Sequence, residues 1–134
     1  MGSIIFEDMT YSVRGALYSV YNEIGSGLPE KVYQECLVIE FSRRGIQFLA
    51  EPHIQLHFQG RTLMTSIRPD FICYGSIIVE IKAIMELEDR HLGQVLSYLR
   101  CTKLNVGLLV NFGTYPDLQI KRVLNTRTSS PTIR

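Results

Sequence analysis

Arg68-Pro69-Asp70-Phe71-Ile72-Cys73-Tyr74-Gly75-Ser76-Ile77-Ile78-Val79-Glu80-Ile81-Lys82 reads as an apolar β-hairpin that carries Asp70, Glu80 and Lys82 where apolar strands rarely accept charge. A three-residue turn centred on Gly75 places Asp70 directly opposite Glu80, with Cβ atoms roughly 4.5 to 5.5 Å apart on one face. Two like charges so placed repel, and a cation between them resolves the conflict. Glu80 and Lys82, two apart on one strand, share that face, while Ile81 points the other way. The alternative is a two-residue Gly75-Ser76 loop, favoured by hairpin geometry, which sends Asp70 to the face opposite Glu80. On the first register Mg2+ or Mn2+, which take oxygen ligands at about 2.0 to 2.2 Å, suits the two carboxylates. A plain ion pair of Lys82 with either acid on a solvated strand face is the competing account.

Outside this hairpin the chain sets few constraints of its own. At 134 residues, with 46% hydrophobic and 20% charged residues, it is long enough for one domain with a real core. A formal net charge of +1 announces no nucleic acid, membrane surface or acidic partner, so any partner must be argued from a site. Cys36, Cys73 and Cys101 form no Cys-x-x-Cys pair, which argues against structural zinc and for reduced thiols, each a small core residue. No apolar run reaches the roughly 18 residues of a membrane span, and the start is too short and too soon acidic for a signal peptide. A soluble cytoplasmic protein is expected.

Upstream, Val13, Leu17, Val20, Tyr21 and Ile24 recur at helical spacing, so a first amphipathic helix is expected over Tyr11 to Ile24, ended by Gly25-Ser26-Gly27. That glycine pair lacks the Gly-Lys-Ser/Thr ending of a phosphate loop and follows no strand, so it reads as a turn. Pro29 suits a first helical position and Glu30 the positive end of a helix dipole, predicting a second, broadly buried helix to about Arg44 with Gly45 as its stop. Ile46 to Ala50 and Ile54 to Phe58 read as strands, turned at Gln59-Gly60, with Arg61 to Ser66 leading into the hairpin as a meander. His53 and His57 stand about 13 Å apart if on one strand, too far to share an ion.

Downstream, Glu86, Glu88 and Asp89 complement the start of a third helix whose core stripe is Leu92, Val95, Leu96 and Leu99, with His91, Gln94 and Tyr98 aligned beside it. Val106-Gly107-Leu108-Leu109-Val110 is a strand buried on both faces, and strand, helix, strand implies a parallel pair. Ile120 to Leu124 gives one more strand. The tail, rich in Ser, Thr and Arg, is expected to be disordered. The fold class expected is therefore α/β with a mixed sheet, in a single domain over residues 1–125 with a disordered tail at 126–134.

Three groups of residues now coincide with known signatures: Gly27-Leu28-Pro29-Glu30-Lys31-Val32-Tyr33; then Pro69-Asp70, nine residues, and Glu80-Ile81-Lys82; then Gln94 and Tyr98 as Gln-x3-Tyr. In this order the chain resembles the PD-(D/E)XK nuclease superfamily, more narrowly the small bacterial GxxExxY proteins, over roughly residues 10 to 125, with every motif letter present. The resemblance implies a restriction-endonuclease-like core of helix, β-meander, crossover helix and strand. It implies Asp70 and Glu80 as ligands of Mg2+ or Mn2+, with the Ile81 carbonyl and Glu30 as further ligands. Lys82 would orient the attacking water and offset charge, and Gln94 and Tyr98 would support the site or touch the phosphate. The expected activity is metal-dependent hydrolysis of DNA, with RNA as the other candidate substrate. A catalytically silent nucleic-acid-binding or protein-interaction module is the alternative. So small a domain covers little of a duplex, which argues for a homodimer.

Overall fold

The computed structural model describes residues 2–125, with side chains from Phe6 onward, so the expected tail at 126–134 lies outside the described residues. Its elements in order are α1 (Gly2–Ile24), α2 (Glu30–Arg43), β1 (Phe48–Ala50), β2 (Ile54–Phe58), β3 (Arg61–Ile67), β4 (Phe71–Cys73), β5 (Ile77–Lys82), α3 (Asp89–Thr102), β6 (Val106–Asn111) and β7 (Gln119–Leu124). Five strands form a mixed sheet in the order β1-β4-β5-β6-β7, with β5 and β6 parallel and the other neighbours antiparallel. Together with three helices this is the expected α/β, restriction-endonuclease-like architecture. Among the described residues no helix is long and apolar enough to cross a membrane.

The register of the opening hairpin is the three-residue one. Phe71 pairs with Val79, Ile72 with Ile78 and Cys73 with Ile77, leaving Tyr74, Gly75 and Ser76 as the loop. Tyr74 and Gly75 both take positive φ, 56° and 62°, and the Ser76 N–H donates to the Cys73 carbonyl at 3.0 Å. This geometry matches the right-handed twist of the strands it joins, as the paired left-handed residues of a tight hairpin turn do. A two-residue loop would instead have flipped Asp70 across the sheet.

Alternation along β5 then distributes the core. Ile77, Val79 and Ile81 meet Leu17, Leu37 and Phe41 from α1 and α2, while Ile78 meets Val95 and Leu99 of α3 on the other side. Each such buried aliphatic side chain contributes roughly 1.5–3 kcal/mol against exposure. All six residues of β6 are buried, as a strand covered by helices on both faces requires.

Several expectations need correcting. The first helix begins at Gly2, ahead of the amphipathic stripe at Tyr11 that marks its packed part. Pro29 is the N-cap of α2, extended at ψ 148°, with Glu30 the first helical residue. That helix is buried only along Tyr33, Leu37, Glu40 and Phe41, while Val32 and Ile39 face solvent, so it is not broadly buried. The expected strand from Ile46 starts at Phe48, Ile46 being tied to the end of α2 by its N–H to the Phe41 carbonyl. The meander is interrupted, because β2 and β3 pair only with each other and leave the main sheet. The Glu51-Pro52 break, with Glu51 at φ 50°, turns the chain out of β1 before it can pair onward. Cys101 is exposed near the end of α3 and is no core residue. His53 and His57 lie exposed, His57 on β2 and His53 just ahead of it.

Candidate active site

The end of the sheet where β4 begins and β5 ends gathers the charges that the hairpin carries. Asp70 stands just ahead of β4, opposite Glu80, and the two are clasped crosswise. The Asp70 N–H donates to Glu80 Oε1 at 3.0 Å, and the Ile81 N–H donates to Asp70 Oδ2 at 2.7 Å. Each carboxylate thus has one oxygen fixed by the other strand's backbone. Among the described residues Asp70 Oδ1 and Glu80 Oε2 accept no hydrogen bond, and Oε2 lies 3.9 Å from Lys82 Nζ.

Burial dominates the electrostatics of the pair. Glu80 is 6% exposed, and its carboxyl is pushed up to about 8, first by burial and then by the charge of Asp70. Burial also raises Asp70, to about 6, against the Ile81 N–H that favours its charged form. The Glu30 charge raises both, so the acid at the start of α2 acts on this site although it makes no hydrogen bond to it. Among the described residues no three His, Cys, Asp or Glu side chains converge as a preformed metal cage. A buried and a half-buried carboxylate, each keeping one oxygen without a donor, are nonetheless a donor set that a hard divalent cation fits.

From the α3 side, Lys82 Nζ donates to Gln94 Oε1 at 3.1 Å, and Gln94 Nε2 donates to the Tyr98 hydroxyl at 3.1 Å. The i, i+4 spacing of Gln94 and Tyr98 makes that second bond possible. Tyr98 is raised by burial and then by the charges of Glu80 and Asp70, so this chain of groups ends within the field of the carboxylates. His91, aligned with them in sequence, is drawn off: its Nδ1 accepts the Glu88 N–H at 2.8 Å and closes a capping box at the start of α3.

Glu30 owes its place to Tyr33. The Tyr33 hydroxyl donates to the Gly25 carbonyl at 2.7 Å and accepts the Leu28 N–H at 3.1 Å, while its ring stacks on Phe112 at 4.4 Å. The turn into α2 is thereby pinned to Phe112, just past the end of β6, and Glu30 follows as the first residue of the helix. Tyr33→Phe keeps the stack and strips both hydrogen bonds, so a loss of about 1–2 kcal/mol in urea unfolding is expected. A midpoint unchanged from the parent protein would show the turn to be held without the hydroxyl.

Two contributors escape a reading by motif. The Glu51 N–H donates to the Asp70 carbonyl at 2.8 Å, its carboxylate pairs with Arg68 at 3.3 Å, and its charge also raises Asp70. Its sequence signal, an acid before proline, marks only a break. Asn111, fully buried at the end of β6 and paired with Lys82, accepts the N–H groups of Ile84 and Gly113 at 3.0 and 2.9 Å. It fixes the chain just past Lys82, and nothing in an apolar strand ending in asparagine advertises that. Tyr33 is marked by its signature, but the two bonds of its hydroxyl are not legible there.

A family model for the PD-(D/E)XK nuclease superfamily matches residues 7–123. Among solved structures, the crystal structure of SSO0001 is similar, with a TM-score of 0.53 and 19% identity over 77% of this chain and 56% of that one. The chain therefore spans little more than half the length of that protein, and the likeness is one of fold. No curated protein matches the sequence.

Proposed function

We propose, because the chain belongs to the PD-(D/E)XK nuclease superfamily, that it is a Mg2+- or Mn2+-dependent nuclease hydrolysing phosphodiester bonds of DNA. The supporting observation is the crosswise clasp of buried Glu80 and half-buried Asp70 beside a lysine. Asp70 and Glu80 would hold the ion, with the Ile81 carbonyl and Glu30 completing its shell. When bound, such an ion lowers the pKa of water and neutralises charge developing on the phosphate. The side chains of this protein do the rest. Lys82, steadied by Gln94, offers its ammonium to the attacking water and to the transition-state charge. Gln94 and Tyr98 position Lys82 and present a polar edge to the phosphate.

Lys82→Ala is expected to slow cleavage about 10^2-fold, the cost of one missing electrostatic donor, with Mn2+ affinity by calorimetry unchanged within a few-fold. Parent-like cleavage with metal bound would remove Lys82 from the chemistry.

The narrower assignment to the GxxExxY proteins rests on the stretch Gly27 to Tyr33, whose tyrosine hydroxyl bonds the Gly25 carbonyl and the Leu28 N–H just ahead of Glu30. One domain over residues 1–125 and a homodimer on a duplex complete this reading. A net charge of +1 favours a second reading, a catalytically silent nucleic-acid-binding or protein-interaction module of the same fold, since strong phosphate binding usually shows as a basic surface. Of the arginines, Arg43, Arg44, Arg68 and Arg90 are engaged by Glu40, Glu51 and Glu88. Plasmid, single-stranded DNA and RNA incubated with Mg2+ or Mn2+ separate the two. Metal-dependent nicking lost in Asp70→Ala supports the enzyme, and salt-sensitive binding without cleavage supports the module.

A further inference from the structure

We propose that a groove between α1 and the β4–β5 turn holds a segment of single-stranded nucleic acid by stacking bases on tyrosines and pairing phosphates with two arginines. The groove, about 680 Å³, is lined by Tyr11, Arg14, Gly15 and Tyr18 of α1, Arg44 at the end of α2 and Tyr74 of the turn, and none of its lining residues is acidic. It lies apart from the carboxylates. Tyr74 stands at the opposite end of β4 from Asp70, about 13 Å along the strand.

Three features fit it for base and phosphate together. Tyr11 and Tyr18 are two turns apart on one face of α1, 80% and 43% exposed, where folding alone gains little from an aromatic ring. Arg14 lies between them and forms no ion pair among the described residues, leaving its guanidinium available in a protein of near-neutral charge. Arg44 is pre-aligned, since its Nε donates to Glu40 Oε2 at 2.6 Å, and Arg43 and Arg44 together hold the Glu40 carboxyl down at about 2. A side chain at position 15 would crowd Arg44, because a Cβ there would sit 2.9 Å from Nη1; the bare glycine leaves the guanidinium free to lie along the groove. Rings for stacking with guanidinium groups for the backbone form the recurrent chemistry of single-strand sites. An acidic protein segment would use the arginines and leave the tyrosines idle.

This inference rests on the proposed reading that the protein acts on nucleic acid, but its test does not require cleavage. Fluorescein-labelled oligo(dT) is titrated by anisotropy in EDTA, where no metal-dependent cutting can occur. Tyr11→Ala/Tyr18→Ala is expected to weaken binding at least tenfold with circular dichroism unchanged, both positions being exposed. Arg14→Gln is expected to lower the slope of log affinity against log salt by about 1. Because the assay holds no metal and reads no cleavage, the groove can stand even if the nuclease reading fails. Affinity within twofold of the parent in the double variant overturns the proposal. So does displacement by dTMP at concentrations comparable to oligo(dT) nucleotide, which would assign a free nucleotide, or by poly-glutamate of equal charge, which would assign an acidic peptide.

Discussion

Asp70→Asn is expected to lower Mg2+- or Mn2+-dependent plasmid cleavage by about 10^3-fold, equivalent to about 4 kcal/mol of transition-state stabilisation. The substitution is chosen to spare the fold. Asparagine keeps an oxygen to accept the Ile81 N–H that Asp70 now holds at 2.7 Å, and its own N–H still reaches Glu80. What it removes is the charge and one hard oxygen of the pair. Glu80→Gln should act similarly, and because both changes break one unit their effects should not add. Cleavage rates at saturating metal, with thermal melts to verify folding, decide the matter. A rate within tenfold of the parent protein sinks the assignment of Asp70 as a ligand.

The hairpin was the most legible part of the chain for a physical reason. Strand alternation has a period of two, so three charges in an apolar run fix which faces must meet once the loop length is chosen. The loop itself was not legible: sequence preferences favour Gly75-Ser76, and the structure spends a positive φ on Tyr74 to keep Asp70 opposite Glu80. Helix periodicity likewise places Gln94 and Tyr98 on one face of α3, and the bond of Gln94 to Lys82 follows from the parallel pairing that carries α3 over β5. Glu30 could be placed at the head of α2 but not against the carboxylates, because its position depends on a hydroxyl buried eight residues from the carbonyl it binds. The separation of β2–β3 from the main sheet was invisible for a related reason. Both strands have ordinary alternating patterns, and only the break at Glu51-Pro52 decides that they pair with each other alone.

The same buried pair that suits a cation should make the metal-free protein less stable as pH rises. Glu80 moves from 4.5 to about 8 on folding and Asp70 from 3.8 to about 6, so the folded state binds these protons more tightly than the unfolded chain does. Their stabilisation is complete below about pH 4, is lost progressively as pH climbs through the folded values, and is gone above about pH 8. Because the two groups share one field, the loss is on the order of 2–4 kcal/mol and not the sum of two independent shifts. In EDTA this should lower the melting temperature by roughly 10 °C between pH 5 and pH 8.5. Glu80→Gln keeps the acceptor for the Asp70 N–H without the titrating charge, so it should flatten most of that slope and melt above the parent protein at pH 8.5. A divalent ion competes for the same oxygens as the protons, so Mn2+ should raise the melting temperature strongly at pH 8.5, weakly at pH 5.5, and hardly at all in the variant. A parent protein whose melting temperature in EDTA is level from pH 5 to 8.5 would mean that Asp70 and Glu80 are not buried against each other, and the metal assignment would lose its physical basis.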